Sequence, residues 1–143
     1  MGGHGWGEVD EKKARDAVAR AAELGINFFD TADCYGFGHS EQLISEVLGP
    51  KRNDVVIATK FGVAWDAGTR KTWKDSSASR CVLAVEDSLR RLRLDSIPLY
   101  YVHWLDGVTP VEETVEALAG LRDAGKIQHI GVSNFTPDQL ELA

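Results

Sequence analysis

The sequence predicts an α/β fold in which parallel strands are joined by helical crossovers. Three observations carry that expectation. Apolar residues recur alternately at helical and at strand spacing along the chain. Each pair of strand-like segments is separated by an amphipathic helix, the spacing of parallel pairing rather than of hairpins. Polar residues stand at the C-terminal ends of four successive strands: Asp30, Lys60, His103 and Ser133.

Taken in order, Ala14, Ala17, Val18, Ala21 and Leu24 mark a first helix behind a cap at Asp10, and Gly25 stops it. Residues 26–31, aromatic and β-branched, read as a strand, and the turn-rich stretch 32–39 as its exit loop. A second helix fits 40–48, closed by Gly49-Pro50. Residues 55–60 form a continuous apolar run ending in a charge, as expected of a strand buried on both faces. A long loop is expected over 61–79. Val82, Val85, Leu89 and Leu92 mark the third helix, and 97–103 the third strand, with Pro98 tolerable only near its start. Thr109-Pro110-Val111-Glu112 predicts a helix capped by Thr109, with Pro110 in its first position and Glu112 three residues after the cap. That helix runs to Gly125, 127–133 is the fourth strand, and Thr136-Pro137-Asp138-Gln139 repeats the helix-start signature.

A chain of 143 residues allows one domain and hardly more. Its 43% hydrophobic and 27% charged composition excludes collagen-like and disordered classes. Sixteen basic against 22 acidic residues give a net charge of −6, which argues against nucleic acid or anionic membrane as a partner. Cys34 and Cys81 fit no paired metal-ligand spacing and the four histidines form no HExxH, so no metal site is expected and two reduced thiols are. No apolar run reaches the roughly 18 residues of a membrane span, and the glycine-rich start lacks a signal core. A cytoplasmic location is expected.

Two architectures fit the element order: an open doubly wound sheet, or part of a (β/α)8 barrel of about 250 residues. Length favours the first and the reactive residues favour the second. In both, ligands bind at the C-terminal edge of the strands. Any one polar strand end can be a satisfied core partner, and a lone tyrosine is more often packing. Their convergence on one edge points to chemistry. Lys60, ending an apolar strand, must reach solvent or find an anion, and Asp30 supplies one. An ammonium beside Tyr35, five residues after Asp30, stabilises the phenolate and makes the phenol a better proton donor near neutral pH. His103 either donates a second hydrogen bond to the same substrate oxygen or serves as a core histidine. Proton delivery to a carbonyl oxygen is what hydride addition to the carbonyl carbon requires. The nearby Gly36-Phe37-Gly38-His39-Ser40-Glu41 approaches a dinucleotide fingerprint but has Glu41 in place of the third glycine, and reads as a turn and helix start. Cys34 has nothing basic beside it in sequence and reads as an ordinary small residue. Trp65, Trp73 and Trp104 either line an apolar pocket or pack.

These residues resemble the aldo-keto reductase family. Phe28-Phe29-Asp30-Thr31-Ala32-Asp33-Cys34-Tyr35-Gly36 is similar to its first signature, continued by Gly38, Ser40 and Glu41. Val56-Ile57-Ala58-Thr59-Lys60, Tyr101-Val102-His103-Trp104 and Ile130-Gly131-Val132-Ser133-Asn134-Phe135 resemble the later landmarks, in order and in register over 14–143. The resemblance implies a (β/α)8 barrel that transfers hydride from NADPH to an aldehyde or ketone. It implies Asp30, Tyr35, Lys60 and His103 as the catalytic tetrad with Tyr35 the proton donor, and Ser133 and Asn134 as ligands of the nicotinamide carboxamide. Leu105 stands where the family often has proline, and Pro98 where it commonly has an acidic residue. By the same resemblance residues 1–143 are an incomplete barrel, helix one to strand five, with strand one and strands six to eight absent.

Two other readings stand beside a small-molecule carbonyl reductase: a truncated non-catalytic fragment, and a nucleotide-binding regulatory subunit of reductase-like fold. An incomplete barrel also has two open sheet edges, at 26–31 and 127–133, whose unpaired backbone groups favour pairing with another copy. The isolated chain is therefore expected to self-associate. Sedimentation of the purified protein should give a mass above the 15.7 kDa of one chain, and a cooperative monomer would overturn the expectation.

Overall fold

The computed structural model describes residues 9–143, so the glycine-rich segment around His4 and Trp6 lies outside the described residues. Helix α1 (Glu11–Glu23) starts where the Asp10 carboxylate accepts the Lys13 N–H, and it ends at Gly25 in the left-handed region. Strand β1 is Phe28–Asp30, shorter than expected, because the Ile26 N–H turns back to the Ala21 carbonyl and closes the helix instead of entering the sheet. Helix α2 (His39–Leu48) runs into a 3-10 turn over Gly49–Asn53, and β2 is Val56–Phe61.

The stretch 61–79 is not a single loop. It folds into an antiparallel hairpin of β3 (Val63–Trp65) and β4 (Thr72–Lys74), whose turn is held by the Asp66 carboxylate accepting from the Thr69 N–H and hydroxyl. Strands of three residues are too short for their alternation to register in sequence. Helix α3 (Ala78–Leu92) follows, capped by the Ser77 hydroxyl, and then β5 (Ile97–Val102). Helix α4 (Val111–Asp123) begins one residue later than expected, with Pro110 at the cap and no side-chain bond there. The Thr109 hydroxyl is drawn away to Asp106, which also accepts the N–H groups of Ser76, Val108 and Thr109. Against the opposing effect of burial, these bonds hold the Asp106 carboxyl well below its ordinary range. Strand β6 (Ile127–Val132) and helix α5 (Pro137–Glu141) complete the chain, the latter with the expected capping box between Thr136 and Gln139.

Four strands form one parallel sheet in the order β1-β2-β5-β6, with Asp30 opposite Ala58, Phe61 opposite Val102 and Val102 opposite Val132. The spatial order follows the chain order without reversal, and successive helices pack on one another, α1 on α2, α2 on α3 and α3 on α4. A doubly wound sheet must reverse its strand order. This sheet does not, so its winding is that of a (β/α)8 barrel segment. Phe29, Ile57, Phe61, Tyr100 and Val102 point to the helices and share one core with Leu43, Ile44, Val85, Leu89 and Leu118. Alternation then turns Asp30 and Lys60 to the opposite face. Among the described residues no helix is long and apolar enough to cross a membrane.

Gly62 joins β2 to the hairpin at φ +112°, and a Cβ there would lie 2.5 Å from the Trp104 carbonyl oxygen and 3.2 Å from its nitrogen. Both the backbone conformation and the contact resist a side chain. Gly62→Ala is expected to destabilise the fold by about 2 kcal/mol or more, read as a lower urea midpoint. An unchanged midpoint would show that the two segments are not locked together.

Candidate active site

The parallel register brings the four polar strand ends to one edge. Asp30 closes β1, Lys60 is the penultimate residue of β2, and His103 and Ser133 directly follow β5 and β6. The last two still donate backbone N–H groups across the sheet, His103 to the Phe61 carbonyl at 2.7 Å and Ser133 to the Val102 carbonyl at 2.9 Å. Their positions are therefore set by the ladder rather than by the loops that follow.

Lys60 is 8% exposed, and its ammonium donates to Asp30 Oδ2 at 2.6 Å and to the Thr31 carbonyl at 2.7 Å. The same nitrogen lies 5.3 Å from the centroid of the Tyr35 ring. Tyr35 meets the His103 ring edge to face, with centroids 5.7 Å apart and planes at 82°. The four candidate catalytic side chains thus stand side by side. Asn134, at φ +60°, donates from its amide nitrogen to the His103 carbonyl at 2.8 Å and to Ser133 Oγ at 3.0 Å.

Burial, helped by the Lys60 charge and opposed by Asp30, pushes His103 down from 6.5 to about 4, so the imidazole is neutral near pH 7. Tyr35 moves opposite to the sequence expectation. Burial first, then Cys34 and Asp30, holds its phenol above the ordinary value of 10.0. The ammonium faces the ring from 5.3 Å and does not reverse the cost of burying a phenolate.

Several residues around this edge make contacts that their place in the sequence does not signal. Cys34 Sγ lies 3.7 Å from His103 Nδ1, and burial above all pushes its thiol up to about 12. Glu41 stands in the first turn of α2, as the sequence places it, but faces inward. It is fully buried and accepts from Thr59 Oγ1 at 2.6 Å and Arg91 Nε at 2.5 Å. Asp33, also fully buried, is paired with Arg80 at 3.3 Å, and burial pushes its carboxyl up to about 8. The guanidinium groups of Arg80 and Arg91 lie 5.4 and 5.9 Å from the Trp65 ring. Trp65 therefore belongs to this charged layer. Trp104 lies at the site, 6.4 Å from the His103 ring and beneath Lys74 at 4.3 Å, whereas Trp73 is exposed on the hairpin. A carboxylate on an amphipathic helix gives no sequence signal that it faces inward, so Glu41 was legible only as a motif residue.

The family model of the aldo/keto reductase family matches residues 1–143. The chain belongs to that family. It is 42% identical over 143 residues to aldo-keto reductase YhdN of Bacillus subtilis, covering 99% of this chain and 43% of that protein. The solved glycerol dehydrogenase AKR11B4 of Gluconobacter oxydans superposes with a TM-score of 0.87 at 42% identity, over 96% of this chain and 43% of that one. An aldo-keto reductase of Klebsiella pneumoniae solved in complex with NADPH gives 0.75 at 29% identity, over 94% and 44%. The chain thus spans less than half the length of these relatives, and its four-stranded parallel sheet corresponds to part of their (β/α)8 barrel.

The shift at His103 has a definite sign. Its folded pKa of about 4 lies below the ordinary 6.5, so the unfolded chain binds the proton more tightly. The stability that the neutral ring contributes is full above pH 6.5 and is lost as pH falls toward 4. An NMR titration should find this ring still neutral at about pH 6; a midpoint near its ordinary value would show that the ring is not buried in solution.

Proposed function

We propose that this chain carries the catalytic centre of a nicotinamide-dependent carbonyl reductase, with Tyr35 as proton donor to the substrate oxygen and Asp30, Lys60 and His103 as its partners. One observation carries the reading: the Lys60 ammonium is pinned by Asp30 and the Thr31 carbonyl beneath the Tyr35 ring, and that ring stands against His103. The arrangement offers two hydrogen-bond donors, a phenol and an imidazole N–H, to one oxygen, and a fixed positive charge close to where negative charge develops on it. Lys60 and Asp30 position and polarise, and Tyr35 transfers the proton.

Ser133 and Asn134 fit a carboxamide. Asn134 spends its amide hydrogens on the His103 carbonyl and Ser133 Oγ, which leaves its own oxygen to accept and the Ser133 hydroxyl hydrogen to donate. A carboxamide needs one of each. The cofactor proposed is NADPH, which supplies the hydride; the complex of the Klebsiella pneumoniae relative supports that choice. In this reading residues 1–143 are helix one to strand five of a barrel, the substrate is a small aldehyde or ketone, and free Cys34 and Cys81 agree with a reducing, cytoplasmic setting.

The test is oxidation of NADPH by a generic aldehyde, followed with the protein and with its Tyr35→Phe variant. Turnover should fall by about 100-fold or more, because the proton donor is gone, while NADPH affinity by fluorescence titration stays within a few-fold. Near-normal kcat in the variant would remove Tyr35 from the chemistry. No turnover by the unsubstituted protein with either NADPH or NADH, with nucleotide still bound, would favour the regulatory reading.

A further inference from the structure

We propose that Cys34 positions His103, its thiol donating to Nδ1 and so holding the imidazole in the tautomer that carries its proton on Nε2. The pair comes from two different strand exits. Cys34 lies in the loop after β1, His103 follows β5, and Sγ lies 3.7 Å from Nδ1, within the range of a sulfur hydrogen bond. The ring has little freedom to move away. Its backbone is tied on both sides, the N–H to the Phe61 carbonyl and the carbonyl to Asn134, and the Tyr35 ring abuts it edge to face.

The direction of the bond follows from the two groups. A neutral imidazole has one N–H and one lone pair, whereas a thiol is a weak donor and a still poorer acceptor. Burial keeps the thiol protonated and the ring neutral, which are the states such a bond needs. Pairing S–H with the nitrogen lone pair satisfies the stronger acceptor, while the reverse would point a good N–H donor at sulfur. The proton is then left on Nε2. Among the described residues no side chain bonds that nitrogen, and it is the donor that the proposed reduction requires at the substrate oxygen. That use of Nε2 rests on the proposed function, but the tautomer does not.

The experiment therefore reads the tautomer and not turnover. Long-range proton–nitrogen NMR of the 15N-histidine-labelled chain, with His103 assigned by loss of its signal in His103→Gln, reports which ring nitrogen is protonated near neutral pH. In the unsubstituted protein one fixed tautomer is expected, Nε2 protonated and Nδ1 not. Cys34→Ser, which keeps a donor, should retain it. Cys34→Ala should give nitrogen shifts averaged between the two tautomers, with Nδ1 moving toward the protonated position. Three results would overturn the proposal: a proton on Nδ1 in the unsubstituted protein, unchanged shifts in Cys34→Ala, or the same averaging in Cys34→Ser as in Cys34→Ala, which would assign the effect to shape rather than to the donor.

Discussion

An ammonium buried at the end of a parallel strand must be answered by groups already in place, and the Lys60 contact with Asp30 and the Thr31 carbonyl is that answer. Removing a charge from water without a partner costs several kcal/mol. The partner arrives through the sheet itself. With Asp30 opposite Ala58, the last residue of β1 stands one pleat short of Lys60 on the same face, so the carboxylate and the ammonium meet without help from a loop. Once the nitrogen is fixed, the loop after β1 has a cation over which to lay Tyr35, and His103 acquires a positive neighbour that favours its neutral form.

Thr59 precedes Lys60 and therefore points the other way, into the layer between sheet and helices. There it donates to Glu41, which takes Arg91 from α3 on its second oxygen. Asp33 and Arg80 form a second pair in the same layer, and Trp65 of the hairpin lies beside both guanidinium groups. This layer ties the loop after β1, the hairpin after β2 and helix α3 into one support behind the site. It is not fully satisfied. Asp33 Oδ1, Arg80 Nε and the Tyr100 hydroxyl are buried without a protein partner, and a carboxyl with a bare buried oxygen is one that burial drives toward its neutral form, the direction found for Asp33.

What was legible in the sequence follows the range of the forces involved. Capping by Asp10 and Thr136, the stop at Gly25 and the apolar run of β2 are local, and the structure has them where the sequence puts them. Thr109 also looked like a local cap, yet its hydroxyl donates to Asp106, three residues earlier, and the same carboxylate accepts the Ser76 N–H from 30 residues away. The buried pairs of Glu41 and Asp33 and the approach of Cys34 to His103 join residues 18 to 69 positions apart, and the hairpin joins strands too short to show a period. The four strand ends were legible because parallel topology, once granted, delivers the C-terminal ends to one edge with no further information.

The direction of the Tyr35 shift bears on how such a site can work. A phenol whose pKa is raised by burial is a poorer acid in the resting state, and the sequence-level picture of an ammonium lowering it does not describe this arrangement. The acid that matters is measured against the group it protonates. In the reduction proposed above, hydride addition to a carbonyl would leave an alkoxide, a far stronger base than a phenolate, so proton transfer from Tyr35 would run downhill even from a raised starting point. What the transfer then needs is stabilisation of the phenolate left behind, and Lys60, 5.3 Å from the ring centroid and held there by Asp30, is the charge available for it. Under that proposal the ammonium would act as negative charge builds on the phenol oxygen during the transfer, rather than through the resting acidity of the phenol.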